Sequence, residues 1–171
     1  DRYAVRTIVT ACPHCFHQMG NEFPQFGGNY EVIHHSTFID RLLQEDRVPL
    51  RSEGGKKLTV AYHDSCYLGR YNDIYDAPRE TLKRALPVIT LVDPPRSHDR
   101  GLCCGAGAAY SVTQPELSQL ILARKVDALR DVTPANAEPI VASANPGCMV
   151  QLRGAGIDAR HPADLIAEVL E

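Results

Sequence analysis

The sequence predicts an α/β fold, a mostly parallel sheet with helices on both faces. Short runs rich in Val, Ile and Thr alternate with segments of helical periodicity, the rhythm of parallel strands joined by crossover helices. The chain has 171 residues, 44% of them hydrophobic, enough to bury an ordinary core. Its formal charge is -3, without the cluster of Lys and Arg that would forecast a nucleic-acid surface, so no nucleic-acid partner is expected. No apolar run approaches the ~20 residues needed to cross a bilayer, and no secretory pattern opens the chain.

Strands are expected at residues 5–11, 30–34, 58–62, 88–92, 139–143 and 157–160. The first lies in "YAVRTIVTA" (Tyr3 to Ala11), which reads as a buried strand with no lead-in. Helices are expected near 15–23, 35–45, 77–86, 114–131, 148–153 and 162–170. Two of their starts carry capping signals. Asp76 precedes "APRETLKRAL", and Thr113 stands in capping-box spacing with Glu116, with Pro115 in the first turn. The polar stretch "RSEGGKK" (Arg51 to Lys57) is the best linker candidate.

The two ends of the chain resemble each other. "IVTACPHCFHQM" (Ile8 to Met19) aligns with "VASANPGCMVQL" (Val141 to Leu152), placing Cys15 on Cys148, Pro13 on Pro146 and Cys12 on Asn145. Further on, His34 falls on His161. Each copy reads strand, Cys-bearing turn, helix, short strand, His, helix. The expectation is a chain built from one and a half copies of an internal repeat. Residues 1–50 would be the C-terminal half of a first unit, and residues 51–171 a complete second unit.

Six cysteines, two of them adjacent in "GLCCGAG", suit metal or redox work in a reducing compartment better than structural disulfides, which makes the cytoplasm the expected location. Adjacent Cα atoms sit about 3.8 Å apart, below the usual disulfide range. Cys66, Cys103, Cys104 and Cys148 each follow a predicted strand or lie on a glycine-rich turn. In a parallel sheet all four can gather beyond the strands' carboxyl ends. Gly105 and its neighbours permit close backbone approach, and N–H groups from these turns and from the helix near Cys148 would stabilise thiolate charge. A vicinal pair crowds one metal but reaches two irons, so iron and sulfide suit the set better than a lone zinc. Buried inert thiols are the plain alternative.

On these motifs the sequence resembles the cysteine-rich CCG family, found in heterodisulfide reductases and in the iron-sulfur subunits of glycolate and lactate oxidation. "CPHCFHQMGNEFPQFGGNYEVIHH" and "YHDSCYLGRYNDIYDAPRE" look like heterodisulfide-reductase-type oxidoreductases. "LCCGAGAAYSVTQPELSQLILARKVDAL" and "ANPGCMVQLRGAGIDARHPADLI" look more like the glycolate oxidase iron-sulfur subunit. The resemblance implies an Fe-S oxidoreductase partnered with a flavoprotein subunit and further Fe-S segments, with a quinone or a membrane-bound subunit at the far end, peripheral at the inner face of the membrane. It implies electron transfer from the flavoprotein to that acceptor, or thiol-disulfide reduction at the cluster. In the heterodisulfide reductase branch five thiolates hold a noncubane 4Fe-4S cluster. Residue by residue this carries over Cys66, Cys103, Cys104 and Cys148, but the fifth position is Asn145, which makes a four-thiolate cubane the simpler expectation. Cys12 and Cys15 would belong to the first unit's metal site.

Other residues have competing readings. "CPHC" also fits a thioredoxin-type active site, though that fold has no use for the repeated "NPGC" or the separate Cys-Cys-Gly. A zinc-bearing or metal-free docking module is a further alternative. His63 either donates to a cluster sulfur or caps its turn together with Asp64, with capping slightly favoured. His34 and His161 fit a structural hydrogen bond or a ligand role. Tyr67, Tyr71, Tyr75 and Arg70 form a packing stretch with a solvated arginine, or a partner-facing surface.

Overall fold

The computed structural model describes residues 3–51, 57–134 and 139–171, so most of the expected linker lies outside the described residues. Six strands form where the sequence places them: β1 (Thr7–Thr10), β2 (Glu31–His34), β3 (Thr59–Tyr62), β4 (Thr90–Val92), β5 (Ile140–Ala142) and β6 (Asp158–Arg160). They build two parallel sheets rather than one. β4-β3-β5-β6 form the larger, and β1 pairs with β2 in the smaller. The central strands β3 and β5 are covered on both sides, which is why Val60, Ala61, Val141 and Ala142 are fully buried. The expectation of a buried first strand is corrected. β1 has a single partner, and Val9 is 45% exposed.

Helices cover both faces of the larger sheet. Leu82 and Ala85 of α3 (Asp76–Ala85) and Leu165 and Ile166 of α7 (Pro162–Ala167) pack on Val60, Tyr62 and Ala142, joined by Ile39 and Leu43 of α2 (His35–Gln44). On the opposite face, Leu122, Val126 and Leu129 of α5 (Pro115–Arg130) and Met149 and Leu152 of α6 (Pro146–Gly154) pack on Ala61, Val141 and Ala159. The crossover from β3 runs through α3 to β4, and that from β5 through α6 to β6. Neighbouring strands β3 and β5 thus send their chains to opposite faces, which opens a crevice at their carboxyl ends.

Local signals fare unevenly. The helix expected at 15–23 begins earlier, as α1 (Pro13–His17), and continues as a π-helical turn over Gln18–Glu22. Asp76 lies inside α3 and caps nothing, since the cap position is Tyr75. The Thr113–Glu116 capping box does not form. Thr113 closes the short α4 (Tyr110–Thr113) and its hydroxyl donates to the Ala109 carbonyl, while Pro115 does take the first position of α5. A residue that bonds backward into its own turn is not free to cap the next helix.

The two aligned segments fold alike. In each, a strand leads to a cap residue, a proline at the first helical position, a helix, a parallel strand and a histidine at the next cap position. The cap residues differ. Asn145 Oδ1 accepts from Gly147 N–H at 3.0 Å, whereas Cys12 Sγ accepts from Cys15 N–H at 3.5 Å. The segments meet at a buried seam. Thr81 donates to the Ser36 carbonyl at 3.0 Å, and the rings of His35 and His161 lie 4.2 Å apart.

Candidate metal centre

Four cysteines, from two loops and the first turn of α6, gather at the crevice. Cys66 follows β3, Cys103 and Cys104 lie between β4 and α5, and Cys148 sits in the first turn of α6, inside that helix rather than before it. Cys104 and Cys148 are buried, with their sulfurs 3.2 Å apart. Cys103 links the set, since its thiol is perturbed by those of both Cys104 and Cys66. All six cysteines are free thiols.

The crowding divides the thiols into donors and acceptors. Cys66 is pushed up by its hydrogen bond to Cys103 and by burial, and Cys104 by its bonds to Cys103 and Cys148. Cys103 and Cys148 are pushed down because those protons point at them.

Backbone geometry fixes the vicinal pair. Gly105 has φ +85°, and a Cβ there would stand 2.6 Å from the Ser118 carbonyl oxygen. Only glycine allows the turn to lie that close to α5. Its N–H points at Cys103 Sγ at 3.3 Å, and its carbonyl accepts from Ser118 Oγ at 2.9 Å. Asn145 contributes no sulfur. Besides capping α6 it donates to Ser65 Oγ at 2.9 Å, tying the Cys148 turn to the Cys66 turn.

A buried ionic clamp holds the remaining loops. Arg79 makes two bonds to Asp64, at 2.7 and 3.0 Å, and also holds Asp93, so one guanidinium joins the ends of β3 and β4. Its plane lies over the Tyr62 ring, 4.3 Å from the centroid. Burial works against the charged form of Asp64, yet the Arg79 bonds and the His98 N–H hold its carboxyl below the usual range. Arg70 is exposed, as expected of a solvated arginine, and it also donates to the Gly101 carbonyl at 3.0 Å, steadying the approach to Cys103.

The His63 ring makes no capping bond, and the Asp64 carboxylate accepts from Arg79 and from the distant His98 N–H, not from its own turn. The His63 ring is buried, and neither nitrogen has a hydrogen-bond partner. One ring nitrogen and the sulfurs of Cys104 and Cys148 all lie within 4.8 Å of one another. His34 keeps a structural role, its Nδ1 facing Ser36 at the start of α2. Cys12 and Cys15 stay outside the group of four, Cys15 exposed and pushed up by its bond to Cys12. Sequence reasoning missed the Asp64–Arg79–Asp93 clamp, because nothing in the spacing of three charged residues marks them as buried.

A cleft of about 120 Å³ opens beside the sulfurs, lined by Cys66, Cys104, Cys148, Ala106, Gly107 and Gly147, with His14 at its edge. Soft thiols with no carboxylate among them, next to a glycine-walled space, fit an iron-sulfur group. Residues 60–153, which span all four of these cysteines, match the model of the CCG cysteine-rich domain.

The chain belongs to the CCG family.

Relatives of this CCG chain agree. It is 37% identical over 97% of its length to the probable iron-sulfur-binding oxidoreductase FadF of Bacillus subtilis, covering 22% of that protein. It is 41% identical over 63% of its length to the EtfAB:quinone oxidoreductase of Syntrophomonas wolfei, covering 14% of it. To a subunit of the dihydromethanophenazine:CoB–CoM heterodisulfide reductase of Methanosarcina barkeri it is 31% identical over its whole length, covering 41% of that subunit. The CCG chain thus spans well under half of each. Among the described residues, no helix is long and apolar enough to cross a membrane.

Proposed function

We propose that Cys66, Cys103, Cys104 and Cys148 hold a 4Fe-4S cluster of the cubane type, and that the chain passes electrons within an oxidoreductase complex. The observation that carries this reading is the gathering of four cysteines, from two loops and the first turn of α6, at the carboxyl edge of one parallel sheet. When bound, such a cluster supplies one-electron redox chemistry. The chain's own residues do the rest. The Gly105 N–H and the α6 N-terminus offset thiolate charge, the Arg79 clamp fixes two of the loops, and the buried His63 ring stands ready to donate to a sulfur. Asn145 in the fifth position argues against a noncubane cluster. The name of one relative, the EtfAB:quinone oxidoreductase, supports exit to a quinone; the reading adds electron entry from a flavoprotein, such as one oxidising a 2-hydroxy acid, and further Fe-S segments would lie outside this chain.

The test is anaerobic reconstitution with iron and sulfide, followed by metal and sulfide quantitation and EPR. A brown protein with iron and sulfide in equal amounts is expected. One zinc and no sulfide would favour a second reading, in which His63, Cys104 and Cys148 hold zinc at the spacing they already have.

A further inference from the structure

Lys125 sits in the middle of α5, yet only 1% of it is exposed. It lies on the stripe Ser118, Leu122, Lys125, Leu129, spaced to put all four on the face turned to the sheet. Side chains on a helix lean toward its N-terminus, and the N-terminal end of this stripe is the place where Ser118 grips the Cys-Cys-Gly turn. That lean carries the lysine stem toward the end of α5 that holds the Cys-Cys-Gly turn.

No carboxylate pairs with this ammonium. Among the described residues Lys125 has neither an ion pair nor a hydrogen bond. The negative groups acting on it most strongly are Asp64, Cys148 and Cys104. Asp64 is already engaged by Arg79 and the His98 N–H. Burial pushes the ammonium down to about 8, the direction expected of a cation without a close partner. A nearly buried ammonium without a partner is costly, so a lysine here makes sense when an anion completes the site.

We infer that Lys125 is the buried countercharge of the iron-sulfur group, stabilising its reduced form and so raising its potential. The inference rests on the cluster reading above. Four thiolates outweigh the positive charge of the iron-sulfide core, so the group is an anion that gains one more negative charge when it accepts an electron. No bond forms or breaks in that step. A fixed positive charge nearby favours the more negative state.

The experiment compares wild type, Lys125→Met and Lys125→Arg, each reconstituted anaerobically and titrated with dithionite under EPR. In Lys125→Met the equilibrium for reduction should weaken about tenfold, a negative shift of about 59 mV for one electron, while Lys125→Arg keeps the wild-type midpoint. Loss of iron from Lys125→Met alone, with its apoprotein folded by circular dichroism, would equally support a charge role. An unchanged midpoint in a fully loaded Lys125→Met protein overturns the inference and leaves the cluster reading intact. So does loss of iron from both variants, which would mark a packing role. Failure of the wild type to take up iron defeats the cluster reading itself. Urea denaturation of the apoproteins adds a readout independent of iron. Lys125→Met should unfold at higher urea than wild type, and a lower midpoint would mean that the protein alone satisfies this charge.

Discussion

The unit around β3 to β6 and the unit around β1 and β2 share one local grammar and differ in what they gather. Each has a strand, a cap, a proline-started helix and a histidine at the next cap. In the larger unit two neighbouring strands send their crossovers to opposite faces, and the crevice between them draws in thiols from two loops and the first turn of α6. Among the described residues the smaller unit has two strands, and its two cysteines are tied by the bond from Cys15 N–H to Cys12 Sγ. The lesson is that the turn motif positions a single sulfur, while the reversal of strand order assembles the group.

The strongest way to break that comparison is to remove sulfurs one unit at a time. Cys104→Ser or Cys148→Ser should abolish iron and sulfide uptake, whereas the pair Cys12→Ser and Cys15→Ser should leave the larger unit's content unchanged. Metal and sulfide analysis after reconstitution decides it. Next in size is Arg79→Gln, which strands Asp64 in the interior and should cost about 3–5 kcal/mol in urea denaturation of the apoprotein. The smaller unit has no buried pair of this kind among its described residues, and Arg47→Gln, at an exposed pair with Glu45, should change stability by under about 1 kcal/mol.

Acid probes the seam between the units. Burial holds the imidazoles of His34 and His35 down to about 4 and about 3, with His35 further opposed by His161 and His34. Below about pH 6.5 the unfolded chain takes up protons that the folded chain refuses, so stability falls as the pH drops toward those values. His35→Phe should flatten this limb in denaturation curves taken from pH 7 to pH 4. The smallest change is the most pointed one. Asn145→Cys gives the larger unit the cap of the smaller, losing about 1 kcal/mol of capping while adding a fifth thiol. An altered EPR signature in that variant would show that the cap position selects the cluster type.

Much of this was legible in the residues. Strands β1 to β5 were marked by β-branched residues, β6 is Asp-Ala-Arg with only Ile157 before it, and the four cysteines announced a common site through glycine-rich turns and strand ends. What escaped was set by tertiary context. β1 reads as buried because its residues are apolar, yet burial depends on how many strands flank it. Arg79 looks like a surface cation, and only the folded loops reveal that Asp64 and Asp93 flank it. Lys125 falls on an apolar stripe, a pattern that predicts burial of the position but gives no reason to keep a charge there.

His14 stands at the edge of the cleft that the sulfurs line, and it comes from the unit that lends them no thiol. Its ring rests against Tyr67, with centroids 3.9 Å apart, so the smaller unit forms part of the wall between the sulfurs and dissolved gas. In His14→Ala that wall thins, and the brown colour of the loaded protein should bleach faster in air.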